Sequence, residues 1–185
     1  QNQTKNMTIN FIVGIIGALT LIGGAAYPIE KVSHPSKSVK NWLFLIGGVL
    51  MFAYALLNYL TTGGSIFFVL MQTLINVSSV FMMLDTDDRI DTGIISALGL
   101  ILIGVSFYLF EGYQTIIFVA GLSGIAVGYV MEMNTFKRNF ALMLGSMFVT
   151  VFSYMVGDMI FTVLNLFFAI FAGYWAWKIG GKKSQ

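Results

Sequence analysis

Residues 42–84 read WLFLIGGVLMFAYALLNYLTTGGSIFFVLMQTLINVSSVFMML, without one Asp, Glu, Lys, Arg or His. A spanning helix needs about 20 apolar residues, because the hydrocarbon core of a bilayer is about 30 Å thick and each helical residue rises about 1.5 Å. This stretch is long enough for two such helices. Only Gly63-Gly64 interrupts it, a pair whose backbone freedom suits a tight reversal. The reading is a membrane hairpin with spans over 42–60 and 65–84.

The same measure applied outward finds five more apolar segments, at 9–29, 92–110, 115–133, 140–156 and 159–177. They are separated by short breaks of glycine or charge at Lys37 to Lys40, Asp85 to Asp91, Glu111-Gly112, Lys137-Arg138 and Gly157-Asp158. The fold class expected is therefore all-α: a polytopic membrane protein of seven transmembrane helices in one membrane domain, residues 1–185. Composition agrees. Of the 185 residues 57% are hydrophobic and 10% charged, against about 25% charged in soluble domains, which excludes a water-soluble fold. Without cysteine, disulfides, thiolate metal sites and cysteine nucleophiles are excluded. A net charge of +2 is too small for a nucleic-acid partner. The first segment has no basic leader beyond Lys5 and runs into the positive stretch Lys31 to Lys40 rather than a small-residue cleavage site, so it reads as an uncleaved span and not a secretory signal.

Orientation follows from the ten basic residues. Lys31, Lys37, Lys40, Arg89, Lys137, Arg138, Lys178, Lys182 and Lys183 fall on one side of the predicted spans and Lys5 alone on the other. By the positive-inside rule the C-terminus is cytoplasmic and the N-terminus outside. The sequons Asn2-Gln-Thr4 and Asn6-Met-Thr8 would then face outward, with meaning only in a secretory pathway that glycosylates.

The chain also superposes on itself. Tyr27-Pro28-Ile29-Glu30 falls on Tyr129-Val130-Met131-Glu132 at an offset of 102, Asn41-Trp42 and Gly47 on Asn139-Phe140 and Gly145 at 98, and Gly64 to Phe68 on Gly157 to Phe161 at 93. The offset shrinks only at loops. Spans one to three (9–84) thus match spans five to seven (115–177), with 92–110 as a linker helix, a 3+1+3 plan. Three spans reverse the chain's direction and a fourth restores it, so the two repeats run parallel and would enclose a site between them near the midplane. The other reading of the match is fortuitous likeness among apolar helices.

Three short motifs carry a further likeness. Tyr27-Pro28-Ile29-Glu30 occupies the end of the first span, where a proline–glutamine signature would stand, with Glu30 in place of glutamine and Val130 in place of proline in the second copy. Leu164-Asn165-Leu166-Phe167-Phe168 and Gly173-Tyr174-Trp175-Ala176-Trp177-Lys178 end the last span, where the first repeat has Phe81-Met82-Met83-Leu84. Over the whole chain this arrangement resembles the SWEET and PQ-loop transporter superfamily, and the last span is similar to the third-helix ending of the related nicotinamide riboside (Pnu-type) vitamin transporters. The resemblance implies a transporter of a small polar solute of the sugar, nucleoside or vitamin class, working by alternating access.

The residues themselves narrow the chemistry. No ionisable residue lies deep in any predicted span, and Glu111 and Glu132 sit at helix ends. Ion coupling usually rests on such residues, so uncoupled facilitated diffusion is expected. His34, alone in a loop, offers no metal site, and no catalytic constellation is present, so neither enzyme activity nor a cofactor is expected. What remains is amide and aromatic chemistry. Gln72 and Asn76, four residues apart, share one face of the third span, and Gln72 corresponds to Asn165 in the seventh. These amides either hydrogen-bond a polar solute or hold helices together. Tyr54, matched to Phe152, and Tyr154 either form a stacking wall or pack in the core. Trp42, Trp175 and Trp177 fall at span ends, as interfacial anchors do. Gly14, Gly17, Gly47, Gly48, Gly121, Gly124 and Gly145 suit close helix packing or rocking of one unit on the other, with Pro28 a hinge because its ring frees a carbonyl four residues back. The alternatives to transport are a receptor or sorting protein on the same scaffold and a membrane-structural subunit.

The charge asymmetry yields the first prediction. A periplasmic or lumenal reporter fused at Gln185 is expected to be inactive and a cytoplasmic reporter active; the reverse pattern refutes the orientation.

Overall fold

The computed structural model describes residues 2–28, 30, 32–84, 86–132 and 135–181, with side chains from residue 9 onward except that of Asp88. Ile29, Lys31, Asp85, Met133, Lys182, Lys183 and the side chains of Lys5 and of both sequons lie outside the described residues. Among the described residues are seven α-helices and no strand: α1 (Asn2–Ala26), α2 (Val39–Thr62), α3 (Ile66–Leu84), α4 (Asp88–Tyr108), α5 (Tyr113–Val130), α6 (Phe136–Met155) and α7 (Met159–Gly180). Each contains most of one predicted apolar segment. The outward faces are as apolar as the buried ones; Leu100 is 71% and Leu60 67% exposed. Such faces are tolerable only in lipid, and the chain is an integral membrane protein.

One helix departs from the seven spans expected. Six are long and apolar enough to cross a membrane by length and composition, and α6 is the one that is not. It opens on Phe136-Lys137-Arg138-Asn139, and the apolar run over 140–155 that remains is shorter than the roughly 20 residues a span needs.

The helix ends are closed by short polar side chains. Ser38 accepts from the Asn41 N–H at 3.3 Å and Thr135 from the Arg138 N–H at 3.3 Å. Asp87 accepts from the Arg89 N–H at 2.8 Å and Asp158 from the Phe161 N–H at 3.1 Å. Each satisfies a donor that has no partner within its own helix. Gly63 and Gly157 take positive φ, 73° and 79°, and let α2 and α6 reverse into α3 and α7 within three residues.

The chain divides into two compact units between Thr86 and Asp87. In the first, α2 packs against both α1 and α3, while α1 and α3 do not approach each other among the described residues. The α1–α2 seam is built on glycines. A Cβ on Gly17 would lie 3.0 Å from the Met51 nitrogen, one on Gly24 3.2 Å from Leu43 Cβ, and one on Gly47 2.8 Å from the Leu21 nitrogen. Near the reversal end Asn10 Nδ2 donates to Thr61 Oγ1 at 2.9 Å. At the other end a 3-10 turn, Pro35–Lys37, lies against α2 and α3. It is held by the Asn41 amide on the Pro35 carbonyl, the Trp42 indole on the Ser36 carbonyl, and Ser38 Oγ on Glu30 Oε2.

In the second unit α4, over the expected linker segment 92–110, packs on α5, α5 on α6 and α6 on α7. The α5–α6 seam is tighter than α1–α2. A Cβ on Gly145 would lie 2.6 Å from the Ile125 nitrogen, one on Gly124 2.8 Å from Gly145 Cα, and one on Gly121 3.0 Å from the Val149 nitrogen. At the end of α7, Gly180 faces the Phe136 ring, and the Lys178 ammonium sits 4.9 Å from the Trp175 ring centre.

Backbone cannot yield to an added methyl, so Gly145→Ala is expected to lower thermal stability in detergent by about 1–3 kcal/mol. Gly104→Ala meets nothing within 4 Å and should leave stability unchanged or raise it by roughly 0.5–1 kcal/mol through helix propensity. Equal losses in the two variants would refute this account of the seam.

Candidate functional site

The third helix of the first unit carries its polar residues inward. Phe68, Met71, Gln72 and Ser79 are buried at helical spacing, so Gln72 lies on the buried side of α3. Gln72 is 0% exposed, and neither Nε2 nor Oε1 finds a hydrogen-bond partner among the described residues. One turn on, Asn76 Nδ2 donates to the Gln72 carbonyl at 2.8 Å and across to the Gly48 carbonyl of α2 at 3.1 Å. Both its donors are spent, and its Oδ1 is left unpartnered. Gly48 makes the approach possible, since a Cβ there would lie 2.7 Å from Asn76 Oδ1. The free capacity of this cluster is therefore two acceptors, Gln72 Oε1 and Asn76 Oδ1, and one donor group, Gln72 Nε2. No fixed charge is part of it.

An amide without partners in a buried, apolar setting costs about 1–3 kcal/mol. Leucine or methionine would fill the same place without that cost, so the structure carries at Gln72 a polar group that folding alone does not require.

In the second unit Phe161, Leu164, Asn165 and Ala172 are buried on α7, at the spacing of Phe68, Met71, Gln72 and Ser79 and 93 residues further on. Asn165 Nδ2 donates to the Phe161 carbonyl of its own helix at 2.8 Å, leaving one N–H of that amide uncommitted. Tyr54 is buried on α2 and Phe152 on α6, the latter tilted against Phe118 at 5.1 Å.

Two residues singled out in the sequence lie elsewhere. Tyr154 is 67% exposed and stands on the outer face of α6, apart from the buried Val149, Phe152 and Ser153. Pro28 follows α1, which ends at Ala26, so its ring stops the helix instead of kinking it; any hinge it makes belongs to the link.

Other polar groups went unnoticed in the sequence. Ser78 Oγ is fully buried without a partner among the described residues, and Asp158, read as a break between spans, is a 9% exposed carboxylate engaged in capping α7. Serine is too common in apolar helices to single out, but an Asp one residue before an apolar run is a recognisable N-cap. The chain matches no family model, no curated protein and no solved structure.

Exchange of Gln72 separates its burial cost from its neighbour's packing role. Gln72→Met is expected to raise the thermal stability of the ligand-free protein by about 1–3 kcal/mol, and Asn76→Leu to lower it by about 0.5–1.5 kcal/mol, because only Asn76 bonds across helices. A loss of stability in both variants, read by thermal unfolding in detergent, overturns the distinction.

Proposed function

We propose that this protein is a membrane transporter that carries a small polar solute of the sugar, nucleoside or vitamin class down its gradient by alternating access, with Gln72 and Asn165 as hydrogen-bond partners of the solute. The observation that carries the reading is the fully buried Gln72 amide, whose two ends find no partner among the described residues. A neutral solute with N–H or O–H donors and an acceptor would complete it.

We infer the 3+1+3 plan on seven spans, with α6 crossing despite its basic first turn. Recurrence of seam contacts supports it. Gly17 meets Met51 as Gly121 meets Val149, Gly24 meets Phe44 as Gly128 meets Leu142, and Gly47 meets Leu21 as Gly145 meets Ile125. These pairs fit an offset of 104 for the first helices, two more than the match of Tyr27 with Tyr129, and of 98 for the second helices, and α1 and α5 end 104 residues apart, at Ala26 and Val130. Matched seams suit two units built alike.

The uncoupled mechanism rests on the apolar helices lacking ionisable groups away from their ends and on Asp158 being engaged as a helix cap. A structural-subunit reading draws on one observation, the Asn76 bond from α3 to α2, which is what an amide holding helices together makes. Gln72 makes no such bond.

Counterflow in liposomes with sugars, nucleosides and vitamins, with and without imposed proton or sodium gradients, tests the proposal. Flux down the gradient is expected without ion dependence. Gln72→Leu and Asn165→Leu should each weaken solute binding by about 1–3 kcal/mol, and Asp158→Asn should keep the absence of coupling. Accumulation driven by either ion, or full flux in both leucine variants, sinks the reading.

A further inference from the structure

An open groove of 420 Å³ lies between α5 and α6, lined by Ser123, Gly124, Val127, Met131, Phe140 and Leu144, with Lys137 also at its wall. That volume lies within the about 300–1,000 Å³ typical of small-ligand sites, yet the lining offers almost nothing to a polar ligand. The floor is low because Gly124 has no side chain where it touches Gly145. Along α6 the groove extends from Lys137 to Leu144, roughly 10 Å at the helical rise. Lys137 stands in the first turn of α6, where a spanning helix emerges at headgroup level. Its side chain is exposed and makes no hydrogen bond or ion pair with a described residue. The neighbouring cations differ: the Arg138 guanidinium lies 5.9 Å from the Tyr129 ring centre with Nη1 3.4 Å from the Met131 carbonyl, and the Lys178 ammonium lies over Trp175 and Tyr174.

We propose that this groove is a binding site for an anionic phospholipid, one acyl chain lying against Gly124, Val127 and Leu144 and the headgroup phosphate meeting Lys137. The two halves of the site match the two halves of that molecule: an apolar channel, and at its mouth one cation without a hydrogen bond or ion pair among the described residues. Basic residues beside grooves between membrane helices recognise anionic headgroups in this way. A soluble solute has no use for the channel. A zwitterionic lipid fills the channel but presents the lysine with no net charge. The proposal rests on α6 crossing the bilayer, as inferred above, but uses neither Gln72 nor Asn165, so it stands or falls apart from the solute site.

Native mass spectrometry of the full chain released from detergent, supplied with phosphatidylglycerol and phosphatidylcholine of identical chains, tests it. Phosphatidylglycerol should be retained over phosphatidylcholine by about fivefold, the weight of one basic residue near a membrane surface. Lys137→Gln should erase the preference while apolar retention persists, and Lys178→Gln should keep it. Val127→Trp and Leu144→Trp, filling the channel from opposite walls, should each reduce retention of both lipids, and soluble glycerol 3-phosphate should not bind. Equal retention of the two lipids by the unaltered chain overturns the site. So does a preference lost equally in Lys178→Gln, which would mark a diffuse surface effect, or undiminished retention in both tryptophan variants.

Discussion

Helices in lipid gain nothing by hiding leucines from one another, because the acyl chains around them are equally apolar; they associate where backbones come close enough for dense contact. Everything else in this protein is arranged around that constraint. Gly47 on α2 and Gly145 on α6 each bring a helix axis within reach of a neighbour's backbone nitrogen, and from these points the flanking side chains follow at helical spacing. The seams need no polar adhesive along most of their length. Polar side chains can then be deployed elsewhere.

Where they are deployed separates two kinds of amide. Asn10 and Asn76 donate across the helix pairs of the first unit, to Thr61 and to the Gly48 carbonyl, and so reinforce a contact that glycine already permits. Gln72, one turn from Asn76 and on the same helix, makes no such bond. Sequence spacing presents the two as a pair on one face. Only their surroundings divide them, and the dividing feature is whether a glycine stands opposite: Gly48 exposes its carbonyl to Asn76, and Gln72 meets no such opening among the described residues.

The helices were legible from the sequence because a bilayer permits few alternatives. Twenty apolar residues cannot form an exposed loop in hydrocarbon, so breaks such as Gly63-Gly64 and Gly157-Asp158 had to be helix ends, and they are. Properties that depend on rotation about a helix axis were less visible. Tyr154 and Phe152 are two positions apart on α6, yet one is exposed and the other buried; hydropathy does not distinguish them when both faces are apolar. The shared Tyr-x-x-Glu of residues 27–30 and 129–132 lies at or beyond the ends of α1 and α5, whereas the contacts of the interior glycines could not be read from the sequence and came only from the packing. Grouping of α4 with the second unit had no sequence signal at all, since a linker helix and a packed helix have the same composition in lipid.

The seams also differ in how they constrain the gene's history. A methyl on Gly128 would meet the Leu142 side chain at 2.6 Å but its nitrogen only at 3.3 Å, so a smaller residue at 142 could make room, and the two positions are free to drift together. Gly145 has no such partner. Its neighbours are the Ile125 nitrogen, the Gly121 oxygen and the Gly124 carbonyl carbon, atoms that every amino acid supplies alike. No second substitution can shrink a peptide bond. Position 145 is thereby closed to compensated change, whereas 128 and 142 form an epistatic pair, and the permitted paths of divergence run through the loose end of the α5–α6 seam and not through its centre.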